Sequence, residues 1–402
     1  MAAEIDKIFD SFDKKSVFKD KFMLQNSYKP EEIPHRDVQI KQIASILAPV
    51  LRGEKTSNLF VYGKTGTGKT LSIQYVRDEL LKRAEKNLDF KLRIEYLNCK
   101  LKKVSDTEYR ILAELIKKLG GNIPVTGLPT EAVYNKFIEI IDKEKQLLVL
   151  VLDEIDQAVK KISDGFLYNL TRLNSELSKT QICLVGISND LTFLDELDPR
   201  IRSSLSEEEI VFPPYNALQL QDILNKRAKS AFKENIVQDG VIAKCAAFAA
   251  REHGDARRAL DLLRIAGELA ERDNSSKILL KHIDEANNKI ERDKILDVIK
   301  TEPKQFQLVL HSIIYLSEKQ NEPVFTGNIY NFYEDLCKKN RCEILTQRRV
   351  SDIIQEFDML GIINVRVISK GRGGRMREIK LAISKKIIEK AKEIIKDSLN
   401  YN

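Results

Sequence analysis

The sequence lacks the features that mark membrane, secreted and zinc-stabilised proteins. No stretch reaches the ~18 consecutive apolar residues that a membrane-spanning helix needs. Residues 1–19 mix acids, bases and aromatics, without the apolar segment of a secretory signal. The five cysteines form no CxxC pair, which argues against a disulfide scaffold or a zinc site. We therefore expect a protein of a reducing, intracellular compartment, with no membrane partner.

The chain is long enough for more than one domain, and its charge is unevenly distributed. Its 402 residues exceed one ordinary core, and the 43% of apolar residues is typical of a globular protein. The formal net charge is +7, and a net +5 falls between Arg366 and Lys380, where six Lys or Arg accompany one acid. Such a block is either a solvated face or, in a predicted hairpin, an edge that binds phosphates.

The predicted type of secondary structure changes twice along the chain. Before Pro213 and Pro214, short apolar runs alternate with amphipathic segments, which predicts a parallel α/β sheet with flanking helices. Strands are expected over 59–62, 92–97, 147–152 and 182–187, and helices over 37–52, 70–86, 106–119, 131–143 and 164–178. Four helices without strands follow, and after residue 304 three helices precede two β segments. We predict domains over 1–214, 215–300 and 301–402.

The segment Gly63–Thr70, with the sequence GKTGTGKT, fits the phosphate-loop pattern GxxxxGK[ST]. The apolar strand before it and the amphipathic helix after it distinguish this motif from a chance Gly-rich turn. Its glycines allow backbone N–H groups to face phosphate oxygens at a helix N-terminus. Lys69 is expected to reach the β- and γ-phosphates and Thr70 to bind Mg²⁺, which predicts ATP or ADP with Mg²⁺ as cofactors. The expected nucleotide contacts are Gly63, Thr65, Gly66, Thr67, Gly68, Lys69 and Thr70.

Acidic and amide side chains follow two of the predicted strands. Asp153 and Glu154 come directly after the apolar run 147–152, and ligands bind at the carboxyl ends of parallel strands. Asp153 is expected to hold Mg²⁺, and Glu154 to position or deprotonate the attacking water. The alternative is a helix N-cap with acid in the first turn, for which Asp156 is the better candidate. Asn189 ends the fourth strand, where an amide either orients water or belongs to a turn.

The C-terminal region predicts three helices and a basic hairpin, which is the plan of a winged helix. The helix that begins at Thr346 carries one apolar stripe, composed of Val350, Ile353, Ile354, Phe357 and Leu360. Its other face carries side chains able to bond to base edges or phosphates, namely Gln347, Arg348, Arg349, Ser351, Asp352 and Gln355. The hairpin adds Lys370, Arg372, Arg375 and Arg377. This charge favours double-stranded DNA as the partner, and a protein partner is the alternative.

In their order and spacing, several stretches resemble AAA+ ATPases, and among them the archaeal origin-recognition and cell-division-cycle replication initiators. The stretches are IPHR (33–36), the phosphate loop, LVLDEID (150–156), GISN (186–189), DPRIRSS (198–204), FPPY (212–215), GDARRALD (254–261) and TQRR (346–349). The resemblance runs from about residue 20 to residue 385. It implies an α/β AAA+ core, an all-α lid and a C-terminal winged-helix domain.

The resemblance also implies roles for individual residues. Asn189 is similar to the sensor-1 residue, and Arg257 is similar to sensor 2, which reaches the γ-phosphate from the lid. Further nucleotide contacts are implied for Pro34, His35, Arg36, Tyr215 and Arg227.

Two other segments are similar to functional elements of this family. Arg200 and Arg202 fall in the segment that supplies an arginine finger to a neighbouring subunit, and Arg202 is the candidate. The helix near 104–119, preceded by Lys102 and Lys103, is similar to the family's initiator-specific helix, which touches DNA. A core helix with a solvated lysine pair is the alternative.

The sequence thus predicts an ATP-dependent initiator that binds duplex DNA at replication origins and helps recruit the replicative helicase, in the cytoplasm and associated with the nucleoid. Paralogous initiators on adjacent sites are further expected partners. Its Mg²⁺-dependent ATP hydrolysis is expected to be slow and switch-like. A clamp-loader-type ATPase, which would lack the winged helix, and an ATP-regulated transcription regulator are the alternatives.

Overall fold

A computed structural model of the chain describes residues 16–87, 90–100, 107–124, 127–205, 207–320, 324–369 and 375–399. Internal contacts divide the chain into two units, Met1–Ile283 and Asp284–Asn402. Within the described ranges, no helix is both long and apolar enough to cross a bilayer. Of the predicted DNA-contacting residues, Lys102, Lys103, Lys370 and Arg372 lie outside the described residues, as does the side chain of Arg375.

The first unit is built on a five-stranded parallel sheet. Its strands are β1 (Asn58–Tyr62), β2 (Lys91–Asn98), β3 (Gln146–Asp153), β4 (Thr180–Ser188) and β5 (Glu207–Val211), in the order β2-β3-β4-β1-β5. Every residue of β3 is buried, which accounts for its uninterrupted apolar sequence. The four predicted strands are confirmed. The edge strand β5 was not predicted, because it carries Glu207, Glu208 and Glu209 in succession instead of an apolar run.

Helices cover both faces of the sheet. They are α1 (Asp37–Leu47), α2 (Lys69–Asn87), α3 (Glu108–Lys118), α4 (Thr130–Ile141), α5 (Ile155–Ile162), α6 (Gly165–Arg172) and α7 (Pro199–Leu205). One core joins α1 and α2 to alternate strand residues such as Val149 and Val185. The other core joins α3 to α7 to the intervening residues, such as Leu150 and Leu184. Successive strand residues therefore serve opposite cores, as the pleat requires.

Two predicted helices are shorter than expected. The helix predicted over 37–52 ends at Leu47 and continues as a 3-10 turn, Ala48–Arg52, because Pro49 cannot donate to the helical ladder. The helix predicted over 164–178 ends at Arg172 and is followed by the 3-10 turn Leu173–Ser175.

The strand order brings three functional segments to one edge of the sheet. β4 lies between β3 and β1, with Asp153 beside Ile187 and Tyr62 beside Ser188. The phosphate loop after β1, the carboxylates after β3 and Asn189 after β4 therefore lie along the same carboxyl edge.

A helical lid follows the sheet within the first unit. It contains α8 (Ala217–Ala231), α9 (Val241–Arg251) and α10 (Ala256–Arg272), and α11 (Leu280–Thr301) begins in it. Asn216 and Gln219 form a capping box at the start of α8, and Asp255 caps α10 by accepting from two backbone amides. All four helices predicted in this region are confirmed.

The segment before α1 is attached to the lid. The Phe18 ring stacks on Phe232 with 4.9 Å between ring centroids. The Val17 amide donates to Glu271 Oε1 at 2.9 Å, and Lys21 pairs with Glu268 at 2.8 Å. The segment thus belongs to the lid side of the first unit.

The second unit combines helices with a small antiparallel sheet. Its elements are α12 (Lys304–Gln320), β6 (Val324–Phe325), α13 (Thr326–Lys339), α14 (Gln347–Met359), β7 (Ile363–Ser369), β8 (Arg375–Leu381) and α15 (Lys385–Leu399). The sheet order is β6-β8-β7, so β7 and β8 form the predicted hairpin. The short strand β6 and the fourth helix, α15, were not predicted.

The apolar stripe predicted for α14 is confirmed at four of its five positions. Val350, Ile353, Ile354 and Phe357 are buried in the core of the unit. The prediction that Leu360 belongs to the buried stripe is wrong, because Leu360 occupies the C-cap position and is 40% exposed. Gly361, with a φ of +71°, follows it and turns the chain away from the helix.

Candidate nucleotide-binding site

A cavity of about 430 Å³ opens at the carboxyl edge of the parallel sheet. Its lining comes from the phosphate loop, the strand ends, the lid helices α8 and α10, and the segment 25–34. Of the predicted site residues, the lining includes Pro34, Thr65, Gly66, Thr67, Gly68, Lys69, Thr70, Asp153, Glu154, Asn189, Tyr215, Arg227 and Arg257. The volume is typical of small-molecule sites, which span roughly 300–1,000 Å³.

The phosphate loop makes close contacts that only glycine permits. Gly66 has a φ of +70°, and a Cβ atom there would lie 1.7 Å from Asp255 Oδ1. Gly68 has a φ of +90°, and its Cβ would lie 2.9 Å from the Tyr215 hydroxyl. The loop is therefore packed directly against residues of the lid and of the segment that leads into it.

Lys69 is buried at the start of α2 and is held by oxygen atoms. Its Nζ donates to Gly63 O at 2.7 Å, to Lys64 O at 2.8 Å and to Asn189 Oδ1 at 2.9 Å. Burial lowers the pKa of Lys69 to about 8, and the nearby Arg257 adds to this lowering. A polyphosphate between these two cations would offset both effects.

Asp153 accepts hydrogen bonds from two hydroxyl groups. Thr70 Oγ1 donates to Asp153 Oδ2 at 2.9 Å, and the Tyr96 hydroxyl donates to the same oxygen at 2.5 Å. Burial raises the pKa of Tyr96, and the adjacent Asp153 raises it further, so the phenol stays protonated and remains a donor. The carboxylate and the hydroxyl predicted to bind Mg²⁺ are thus adjacent, and Tyr96 fixes the orientation of the carboxylate.

The prediction that Asp156 caps this helix is wrong, and among the described residues no side-chain hydrogen bond caps the start of α5. Glu154, with a φ of +56°, occupies the N-cap position of α5, while Asp156 lies in the first turn. Asp156 Oδ1 instead accepts from the backbone N–H of Asn189 at 3.4 Å. Glu154 lines the cavity, and its Oε2 lies 3.5 Å from Lys100 Nζ.

Arg257 reaches the cavity from the first turn of α10. It is exposed, and its amide is capped by Asp255 Oδ1 at 2.7 Å. Asp255 also contacts the phosphate loop, because Thr65 Oγ1 lies 3.4 Å from Asp255 Oδ2. The neighbouring Arg258 instead pairs with Glu252 at 3.3 Å.

Arg227 and Tyr28 lie together on the lid side of the cavity. The guanidinium carbon of Arg227 lies 4.3 Å from the centre of the Tyr28 ring. Burial lowers the pKa of Arg227, and among the described residues its Nη1 atom has no hydrogen-bond partner. A buried donor without a partner is costly, so this nitrogen fits an acceptor on a bound molecule.

Four of the predicted site residues are not part of the lining, namely Gly63, His35, Arg36 and Arg202. Arg36 is buried beneath the phosphate loop, where Nε donates to Thr67 O at 2.8 Å. His35 is exposed, and its Nε2 lies 3.0 Å from Asp222 Oδ2. Arg202 lies on α7 and pairs with Asp195 at 2.7 Å. Because Arg202 does not line this cavity, a catalytic role for it would require the nucleotide site of a second subunit.

Sequence reasoning missed several residues of the site, of which four make the contacts described above. They are Tyr28, Tyr96, Asp156 in its contact with Asn189, and Asp255. For Asp255 a signal was present, since an Asp before a predicted helix is an N-cap candidate. The others depend on contacts between distant parts of the chain.

The outward face of α14 is polar and accessible. Gln347, Arg348, Arg349 and Gln355 are exposed, and Ser351 is half-buried. Thr346 caps the helix by accepting from the Arg349 amide at 3.3 Å. On the hairpin, Arg366 and Arg377 are also exposed.

The residues of the cavity fit a nucleotide polyphosphate with Mg²⁺. Lys69 and Arg257 supply two neighbouring positive charges. Arg227 Nη1, which has no hydrogen-bond partner within the described ranges, supplies a further donor. Thr70 and Asp153 supply the oxygen ligands that Mg²⁺ prefers, and this ion commonly takes few protein ligands and several phosphate or water oxygens.

Three family models match successive parts of the chain. They are an AAA domain over residues 52–194, a Cdc6 AAA+ ATPase-type lid domain over 221–288 and a CDC6 C-terminal winged helix domain over 297–391. An ORC1-type DNA replication protein of Thermococcus onnurineus is 51% identical over 385 residues, covering 94% of this chain and 92% of that protein. The ORC1-type DNA replication protein 1 of Archaeoglobus fulgidus is 50% identical over 388 residues, covering 96% and 93%.

A solved structure shows the same architecture. The Aeropyrum pernix ORC1 protein in complex with DNA superimposes with a TM-score of 0.80 at 42% identity, covering 96% of this chain and 98% of that chain. The predicted AAA+ core, all-α lid and winged helix are therefore confirmed. On these grounds the chain belongs to the family of ORC1-type DNA replication proteins, which combine an AAA+ ATPase domain with a Cdc6-type lid and winged helix.

Proposed function

We propose that this chain is an ATP-dependent replication initiator that binds duplex DNA at origins through α14 and the β7–β8 hairpin. The observation that carries the proposal is the division of α14 into a buried apolar stripe and an exposed polar face. A relative with 42% identity is known in complex with DNA, which supports DNA as the partner. Recognition helices of this type enter the major groove, while a wing contacts backbone or minor groove.

The proposed chemistry of the cavity is hydrolysis of the terminal phosphoanhydride of ATP. Glu154 orients a water molecule and accepts its proton, while Lys69 and Arg257 stabilise the negative charge of the terminal phosphate. Asn189 accepts from Lys69 through Oδ1, which leaves its NH₂ group to donate to phosphate or water. Thr70 and Asp153 are the proposed Mg²⁺ ligands, and the ion would neutralise phosphate charge when bound.

The nucleotide is proposed to act as a switch, with slow turnover. The lid contributes Arg257 and Arg227 to the cavity, and the phosphate loop contacts Asp255 directly. Loss of the terminal phosphate would remove a ligand that the lid and the phosphate loop share. Arg202, exposed on α7, is proposed as an arginine finger for a neighbouring subunit.

The test combines DNA titration with genome-wide mapping of bound sites. We expect the ATP-bound chain to prefer duplexes containing a mapped replication origin over random duplexes of equal length. Binding sites concentrated at promoters instead of origins would favour the transcription-regulator alternative. The replicative helicase and paralogous initiators are the proposed partners, and co-purification on origin DNA in the presence of ATP tests both.

A further inference from the structure

Arg36 is a fully buried arginine that sits where the phosphate loop, the sheet and the lid meet. The residue is 2% exposed. Besides Thr67 O, it donates from Nη2 to Pro213 O at 2.6 Å and from Nη1 to His35 O at 3.0 Å. The guanidinium carbon also lies 3.8 Å from the centre of the Tyr215 ring. Its three acceptors are thus backbone carbonyls belonging to different segments.

The hydrogen bond to Thr67 determines which way the loop presents one of its amides. The Thr67 carbonyl and the Gly68 N–H belong to one planar trans peptide, so they point in opposite directions. Because Arg36 holds the carbonyl on the outer side of the loop, the Gly68 N–H is directed away from Arg36. Gly68 lines the cavity, where an amide of this kind binds phosphate oxygen.

The lid holds the preceding peptide of the loop in the same way. The Ala256 amide donates to Gly66 O at 3.2 Å, which directs the Thr67 N–H to the opposite side. The orientation of two successive loop amides is therefore fixed through the carbonyl of the same peptide, one held by Arg36 and the other by the N-terminus of α10.

These two contacts are joined through the segment that connects sheet and lid. Pro213, which accepts from Arg36, precedes Tyr215 by two residues, and the Tyr215 amide donates to Gly254 O at 3.4 Å. A Cβ at Gly254 would lie 2.3 Å from Tyr215 O, so the two segments are in close backbone contact. Gly254 precedes Ala256 by two residues, and the Ala256 amide donates to the phosphate loop at Gly66 O. The contacts therefore form a continuous connection from Arg36 through the lid back to the loop.

We infer that Arg36 is a positioning residue that couples the phosphate loop to the lid, so that phosphate binding at the loop is transmitted through Pro213 and Tyr215 to Gly254–Arg257. This inference rests on the proposed binding of nucleotide in the cavity. The planar guanidinium holds carbonyls of the loop and of the connecting segment in one rigid frame, so reorientation of one peptide displaces the other. A lysine would keep the charge and lose this fixed geometry.

The test measures hydrogen exchange of residues 254–258 with and without saturating ADP. Wild type is expected to gain protection there on binding ADP. Arg36→Lys should bind ADP about 10- to 100-fold more weakly, the loss typical of a charged hydrogen bond, and at saturation should gain no protection at 254–258. Phe137→Leu, a control on the buried face of α4, should lower the Tm and keep the ADP-dependent protection.

The outcomes separate coupling from a purely structural role. Arg36→Lys with wild-type protection of 254–258 at saturating ADP would show that Arg36 only supports the fold. If Arg36→Lys does not fold, Tyr215→Leu, which removes the stacked ring, must give the same loss of protection, and full protection there overturns the inference. A wild-type chain that binds no ADP would instead overturn the proposed nucleotide site, and the inference with it.

Discussion

The nucleotide cavity of the first unit and the outward face of α14 in the second present their functional side chains in opposite ways. Lys69 and Thr70 are already hydrogen-bonded to oxygen atoms within the cavity. Arg348 and Gln355 are exposed, and within the described ranges neither forms a hydrogen bond or an ion pair. Side chains held in place lose little conformational freedom on binding, whereas free ones must be ordered. Single substitutions should therefore have larger effects in the cavity than on α14.

The largest effect is expected for Glu154→Gln. The change keeps the side-chain shape and the proposed Mg²⁺ ligands but removes the base, so ATP turnover should fall about 10²- to 10⁴-fold. ATP affinity should change little, as measured by equilibrium binding beside a phosphate-release assay. The exposed Glu176→Gln is the control, and equal turnover in the two variants would remove Glu154 from the mechanism.

Lys69→Ala should weaken ADP binding about 100-fold or more, because it deletes a buried cation aimed at phosphate. The pH dependence gives a second measurement. Because burial lowers the pKa of Lys69 to about 8 and phosphate favours its protonated form, wild-type affinity should fall as pH rises through this value, by up to about tenfold per pH unit. Calorimetric titrations above neutral pH should show this slope in wild type, and a slope of the same size in Lys69→Ala would assign it to another group.

Arg257→Ala should reduce ATP hydrolysis about 10- to 100-fold, because it removes the lid cation that lies nearest Lys69 and the proposed terminal phosphate. Arg258→Ala is the matched control on the same helix, since Arg258 pairs with Glu252 and does not line the cavity. Steady-state rates of the two variants make the comparison. Equal losses would mean that Arg257 acts only through the stability of the lid.

On α14, Arg348→Ala tests whether an exposed side chain of this helix contributes to sequence discrimination. If Arg348 contacts a base edge, its loss should remove about 1–3 kcal/mol of discrimination between origin and random duplex. Binding to random DNA should remain near the wild-type level. Competition titrations with both duplexes measure this difference, and an equal loss on both would make Arg348 a phosphate contact.

The smallest effect is expected for Arg377→Ala on the hairpin. A lost phosphate contact lowers the slope of log affinity against log salt by about 0.9 and weakens all duplexes alike. Titrations at several salt concentrations measure the slope, and Lys339→Ala, on the exposed end of α13, serves as a charge-matched control. A wild-type slope for Arg377→Ala would show that the Arg377 side chain does not contact a DNA phosphate.

Much of the fold could be predicted because its signals are local. The buried strand β3 is one apolar run, and the phosphate loop is a fixed spacing between a strand and a helix. The edge strand β5 escaped prediction because only its pairing with β1, and no apolar pattern of its own, makes it a strand. Leu360 was misplaced because helical periodicity continues past the residue where Gly361 ends the helix.

The candidate site was predictable only where one segment defines it. Lys69 and Asp153 follow from motif spacing, and both lie at the cavity. Tyr96 and Asp255 contact residues that are 57 and 190 positions away, so no local pattern could pair them. Arg36 was expected to touch the nucleotide, and the structure instead places it behind the loop. The roles of the lining residues remain predictions for the experiments above.

The attachment of the segment before α1 bears on how shortened forms of this protein will behave. Phe18 anchors this segment to Phe232 in the lid, and ten residues further on Tyr28 stands in the cavity against Arg227. A chain shortened to begin after residue 30 would therefore expose an apolar strip on the lid and lose one side of the nucleotide pocket. Truncations made to isolate DNA binding would change nucleotide retention and solubility as well, and an affinity tag is better placed at the opposite terminus.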